Sequence, residues 1–205
     1  IATAIAMTYM AHAMGCDAIK FQMHVLENEM LRNVPTSDNF DEPLYETLNN
    51  TELTLDEHKQ LKALCENLGI DYLCTPFSAV AADILDKELD LKAFKTGSGE
   101  LTNIPLLKHI ASKGRPMIIS TGMALIEEIQ ETVDAIKETG TPFALTHCVS
   151  AYPTPYNRVN LHNIPRYREL FNVPVGLSDH SIGIYTAIGS VALGASIIEK
   201  HFTLD

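Results

Sequence analysis

The sequence predicts an α/β protein built as a (β/α)8 (TIM) barrel, and three observations carry that prediction. Seven short apolar runs alternate strictly with helical patterns of about ten to sixteen residues. The runs are nearly continuous in apolar residues, as strands are when both faces are covered. Polar residues gather at the C-terminal ends of nearly every run, where a barrel assembles its site, and no glycine-rich fingerprint of an open doubly wound sheet follows the first strand.

Taken in order, residues 1–15, IATAIAMTYMAHAMG, read as the end of an amphipathic or buried helix. They lack the basic leading region of a signal peptide and run into a strand without a turn-rich break. Strands are expected at AIKFQ (18–22), DYLCTPF (71–77), LKAFKTG (91–97), PMIISTG (116–122), FALTHCVS (143–150), VPVGLSD (173–179) and SIIEKHFT (196–203). Helices are expected at TLDEHKQLKALCENLG, SAVAADILDKEL, NIPLLKHIASKG, LIEEIQETVDAIKETG, NIPRYRELF and GIYTAIGSVALGA. Thr54 and Glu57 have capping-box spacing, and Gly69, Gly114 and Gly140 are helix stops. Because a closed barrel has eight strands and eight helices, one strand before residue 1 and one helix after residue 205 are expected to be missing. Residues 1–205 then read as one truncated barrel domain of a longer chain. MHVLENEMLRNVPTSDNFDEPLYETLNN (23–50) reads as the one long irregular stretch, placed after a strand where substrate contacts or a lid are expected.

Composition narrows the function classes. The 15 basic and 26 acidic residues give a formal charge of −11, which argues against nucleic acid or an anionic membrane as partner. Cys16, Cys65, Cys74 and Cys148 have neither C-x-x-C spacing nor a dense framework, so they read as reduced thiols of a cytoplasmic protein.

Side-chain alternation selects the candidate site. Lys20 shares a face with Gln22, and Lys95 shares one with Ala93, so two cations end strands at the site mouth. The G-S-G after Lys95 completes neither the dinucleotide fingerprint nor the nucleotide P-loop. Ser178 and His180 share a face, as do Glu199 and His201, which brings two imidazoles together from neighbouring strands. Paired imidazoles with oxygen donors suit manganese, iron or zinc acting as a Lewis acid. Asp179 could orient an imidazole or cap the next helix. Strand-end lysines serve either Schiff-base chemistry or anion recognition. The hydroxyls of Thr75, Ser98, Ser120 and Ser150 at other strand ends favour recognition of a small dianion.

KFQ (20–22), CTPF (74–77), KTGSGELTNIPLL (95–107), ISTGM (119–123), HCVSAYPTP (147–155), GLSDHSIG (176–183) and ALGASIIEKHFTLD (192–205) together resemble the N-acetylneuraminate (sialic acid) synthase family. The resemblance implies condensation of phosphoenolpyruvate with N-acetylmannosamine or a related acetamido sugar, with a divalent metal, Mn2+ first and Mg2+ or Co2+ as alternatives. It implies Lys20, Thr75, Lys95, Ser98, Ser120 and Ser178 as phosphoenolpyruvate ligands and Glu100 as an acidic residue near the reacting carbons. His180 and His201 are the implied metal ligands, and Tyr152 is an implied substrate contact. Ser150 stands where well-studied bacterial members carry asparagine. The resemblance further implies a cytoplasmic homodimer of the full-length protein, acting on neither nucleic acid nor membrane, and an inactive 205-residue piece. The G-S-G-E segment favours a sialic or legionaminic acceptor over a pseudaminic one. The rival chemistry is a Schiff-base aldolase using Lys95 or Lys200, although Lys200 has the wrong strand parity for the site.

Overall fold

The structure, a computed structural model, describes residues 1–34, 36 and 41–204. The chain divides into two compact units, Ile1–Lys92 and Ala93–Asp205. In the first unit, helix α1 (Ala2–Ala13) leads into strand β1 (Ala18–Met23), which pairs in parallel with β2 (Asp71–Pro76). Between them lie α2 (Leu44–Thr51) and α3 (Leu55–Leu68), and α4 (Ala79–Leu89) follows β2.

Helix α3 begins as its sequence dictates. Thr54 Oγ1 accepts from the Glu57 backbone N–H at 3.3 Å, and the Glu57 carboxylate accepts from the Thr54 N–H at 2.8 Å. The helix stops where Gly69 turns left-handed at φ 75°, a conformation that penalises any residue with a Cβ. The 23–50 stretch is more regular than expected. It holds a 3₁₀ turn at Leu26–Asn28 and α2, because Leu44, Tyr45 and Leu48 are spaced to bury one helical face, and Tyr45 does so while donating to Glu27 at 3.1 Å. Pro35 and residues 37–40 of that stretch, and Asp205, lie outside the described residues.

In the second unit five strands, β3 (Phe94–Thr96), β4 (Met117–Ser120), β5 (Phe143–Cys148), β6 (Val175–Asp179) and β7 (Ile198–Lys200), pair in parallel in chain order. Helices α5 (Ile104–Ala111), α6 (Ile126–Lys137), α7 (Asn163–Phe171) and α8 (Tyr185–Ala192) make the crossovers. The order never reverses, so this unit has no topological switch point of the doubly wound kind. All seven expected strands form, most of them shorter than the apolar runs that predicted them: β3 ends where Gly97 opens a 3₁₀ turn at Ser98–Glu100, and β7 is also only three residues long.

The two faces of the second unit's sheet differ in chemistry. Phe94, Met117, Ile119, Leu145, Val175 and Leu177 are buried at alternate positions and supply the apolar core with Leu107, Ile110, Ile129, Ile136 and Phe171 of the helices. Their neighbours on the other face are Lys95, Ser120, Thr146 and Ser178, which are buried yet polar. A face of that kind is costly unless its groups bond one another or a ligand.

Gly176 is required for close approach and not for a special φ. A Cβ there would lie 2.3 Å from the Ile197 carbonyl oxygen and 2.7 Å from the Ile197 Cβ. Since backbone cannot swing aside, Gly176→Ala is expected to destabilise the protein by about 1–3 kcal/mol. Thermal denaturation measures it, and an unchanged Tm would show that β6 and β7 can separate freely.

Candidate active site

In the first unit the β1–β2 register sets Gln22 beside Thr75, with Lys20 two residues earlier on the same face. Thr75 is 1% exposed, and its Oγ1 has no hydrogen-bond partner within the protein, which fits a hydroxyl kept for a ligand. The signal is not specific, because Thr96 Oγ1 is equally orphaned. His24, at the end of β1, stacks on Phe77 with centroids 4.4 Å apart and bonds Glu29 at 2.7 Å.

The second unit brings most of the expected residues together. Lys95, 4% exposed, donates from Nζ to Ser120 Oγ at 2.6 Å and to the Thr96 carbonyl at 3.0 Å, and it pairs with Glu199 at 3.3 Å. Ser120 shares a hydrogen bond with Thr146 at 2.9 Å. Ser98 Oγ accepts from the Gly122 N–H at 3.0 Å. Glu100 turns toward Asn103, whose side-chain N–H₂ donates to it at 2.8 Å.

His180 and His201 follow the last residues of β6 and β7, whose register pairs Asp179 with Lys200. Their rings lie 5.3 Å apart, as alternation predicts. Tyr152 stacks on His180 at 4.1 Å and meets His201 edge-on at 5.9 Å. His180 Nδ1 is 2.9 Å from the Val149 carbonyl, and a carbonyl can only accept, so Nδ1 carries a proton and, in the neutral ring, Nε2 keeps its lone pair. Burial works against the charged form of His180, but the Cys148 thiol, the Val149 carbonyl and the charges of Cys148 and Glu199 outweigh it and raise the pKa. Cys148 shows the converse. Burial pushes its thiol up, yet His180, Ser98 and Ser178 outweigh that and hold it below the ordinary thiol value.

This donor set fits a divalent ion through two imidazoles, with one tautomer already fixed at His180. Among the described residues no three His, Cys, Asp or Glu side chains converge on one point, so the other ligands would be oxygens from substrate, water or elsewhere.

Asp179 makes no hydrogen bond to an imidazole and caps no helix. It has the opposite strand parity to His180 and accepts from Lys200 Nζ at 2.8 Å, Thr186 Oγ1 at 2.7 Å, and Ser181 N and Oγ at 2.9 and 2.7 Å. Burial works to raise its pKa, but the bonds from Lys200, Ser181 and Thr186 leave it below the usual aspartate value. Its stabilisation is therefore complete above the unfolded value, about pH 4, and is lost as pH falls through the lower folded value. Asp179→Asn is expected to flatten the loss of stability in that acid window, as read from urea melts at stepped pH.

Glu199, Thr146 and Cys148 belong to the site and were not selected from sequence. Glu199 has the parity of His201 and was the most legible of the three.

A model of the NeuB family matches residues 7–205. The chain belongs to the NeuB family. It is 40% identical over 201 residues to the N,N'-diacetyllegionaminic acid synthase of Campylobacter jejuni, covering 93% of this chain and 60% of that protein. It is 34% identical over 205 residues to the human N-acetylneuraminate-9-phosphate synthase, covering 97% and 57%. The structure matches that of the N-acetylneuraminic acid synthetase from Leptospira borgpetersenii with a TM-score of 0.89 and 33% identity, covering 100% of this chain and 68% of that one. The chain thus spans roughly three fifths of these curated synthases, and the family named by its motifs is the one it belongs to. No described helix is long and apolar enough to cross a membrane.

Proposed function

We propose that the whole protein condenses phosphoenolpyruvate with N-acetylmannosamine or a related acetamido sugar, giving a nonulosonic acid and phosphate. The observation that carries this reading is the buried Lys95 ammonium, ringed by Ser120, Thr96 carbonyl and Glu199 oxygens, in the same unit as the His180–His201–Tyr152 cluster. A buried cation beside a hydroxyl can recognise an anion, and the phosphate and carboxylate of phosphoenolpyruvate are such groups. Its environment suits charge recognition better than a Schiff base, and Lys200, the other aldolase candidate, is bound to Asp179.

In the proposed reaction, C3 of the enolpyruvate adds to the acceptor carbonyl, water adds at C2, and phosphate leaves with C–O cleavage. Lys95, Ser98, Ser120 and Ser178 hold the phosphate and carboxylate, with Lys20 and Thr75 as further ligands. Glu100 is the acidic group assigned to the reacting carbons, while Tyr152 and Ser150 contact substrate. A divalent ion held by His180 and His201, manganese by preference, would supply Lewis-acid polarisation of the sugar carbonyl. We propose a (β/α)8 barrel as the fold of the whole protein. We also propose a cytoplasmic homodimer and expect residues 1–205 alone to be inactive.

The test is phosphate release by the full-length protein from phosphoenolpyruvate and candidate acceptors, with and without Mn2+. Release that needs both the sugar and the metal is expected, and the product identifies the acceptor. A borohydride-trapped adduct with pyruvate, without phosphate release, would overturn the reading in favour of an aldolase.

A further inference from the structure

Asp179 and Lys200 immediately precede His180 and His201, and the β6–β7 ladder sets them directly opposite each other. Asp179 is 2% exposed. Its carboxylate takes four hydrogen bonds, from Lys200 Nζ (2.8 Å), Thr186 Oγ1 (2.7 Å), Ser181 N (2.9 Å) and Ser181 Oγ (2.7 Å). Lys200 Nζ also donates to the Ser181 carbonyl at 2.5 Å, so the ammonium holds the segment on both sides of His180. Burying an ion pair costs more than it returns unless both partners are well satisfied, and this carboxylate is. Beyond its contribution to stability, the pair fixes the geometry of the backbone on either side of it.

Parity explains what it fixes. Successive strand residues point to opposite faces, so the ion pair grips one face while the imidazoles one residue on project from the other. Here the β7 strand is only three residues long, Ile198–Lys200, and a short terminal strand has few ladder bonds to set its position. The ion pair supplies a side-chain tie at the last paired position before both histidines.

We propose that the Asp179–Lys200 pair is a positioning clamp that sets the spacing of the His180 and His201 imidazoles for a divalent cation. The inference rests on the metal role proposed for those histidines. Neither residue touches the ion. They act through the backbone that carries its ligands, as partners behind metal ligands commonly do.

The experiment measures Mn2+ affinity of the full-length protein without substrate, by loss of the free-ion EPR signal, for wild type, His180→Ala, Lys200→Met, Asp179→Asn and the double variant. Lys200→Met and Asp179→Asn are each expected to weaken Mn2+ binding by about tenfold or more. The double variant is expected to be no weaker than the worse single one, because both break the same tie. Phosphoenolpyruvate affinity without metal should stay at the wild-type value, which a general loosening of the fold would not allow. Should Lys200→Met fail to fold, Lys200→Gln removes the ammonium that ties Asp179 to the Ser181 carbonyl while filling most of its space, and is expected to weaken Mn2+ binding in the same direction. Wild-type-like Mn2+ affinity in the single variants, with His180→Ala abolishing binding, would overturn the clamp and leave the metal site standing. Mn2+ binding by wild type that survives His180→Ala would overturn the metal site, and the clamp with it.

Discussion

Lys95→Met is expected to lower kcat/KM for phosphoenolpyruvate by about 10²–10³-fold or more, the cost of deleting one preorganised charged donor from a water-poor site. Methionine keeps most of the lysine's volume and apolar stem, so the buried position stays filled and the change isolates the charge. Three acceptors lose their donor: Ser120 Oγ, the Thr96 carbonyl and Glu199. The Ser120 hydroxyl can still bond Thr146, whereas Glu199 is left as a carboxylate without that cation. Its side chain is about a quarter exposed, so water screens it and the stability loss should be small beside the kinetic one. The pairing predicts a further result. In a Glu199→Gln background the same lysine change should cost less stability, because the carboxylate that loses this cation is gone, while the kinetic loss persists. Steady-state assays with thermal melts check both, and near-wild-type kcat/KM for Lys95→Met would remove Lys95 from the substrate site.

How this site could be anticipated follows from what alternation reports. Alternation assigns a residue to a face, and on that basis Lys95, Ser178, His180 and His201 were placed correctly and the two imidazoles found together. It does not name partners. Glu199 lay on the expected face, but its bond to a lysine more than a hundred residues earlier depends on β3 and β7 belonging to one sheet unit. Asp179 is the clearest miss. Its position beside His180 suggested an imidazole partner, while the strand's own parity turns it to Lys200, Ser181 and Thr186. Local signals fared well where the physics is local, as with the Thr54–Glu57 box and Gly69. They failed for α2, whose short apolar spacing is diluted by the polar residues around it.

Gly122 is the second position where a small change should have a large effect, and the effect should be catalytic instead of structural. Its φ lies outside the left-handed region, so alanine suits its backbone and only space is at issue. A Cβ there would sit 2.4 Å from Ser150 Oγ, 2.7 Å from Ser98 Oγ and 3.1 Å from Cys148 Sγ. These are ends of short side chains, not backbone, and a serine hydroxyl can leave by rotating to another staggered well at little cost. The fold should therefore survive Gly122→Ala with a modest change in Tm, in contrast to Gly176→Ala, where the obstruction is main chain. What moves are the Ser98 hydroxyl, proposed to hold the phosphoenolpyruvate anion, and the Ser150 hydroxyl, proposed to contact substrate. Ser98 also loses its position against the Gly122 N–H, a bond that fixes its Oγ at 3.0 Å. With donors displaced by about an ångström, kcat/KM for phosphoenolpyruvate is expected to fall about 10²-fold. Adding Ser150→Ala removes the nearest obstruction, so the double variant should recover part of that loss although it carries one hydroxyl fewer. Such recovery distinguishes displaced ligands from a damaged fold, because a damaged fold would gain nothing from a second deletion. Activity of Gly122→Ala close to wild type would show that the Ser98 and Ser150 hydroxyls need not converge on this glycine for the reaction to proceed.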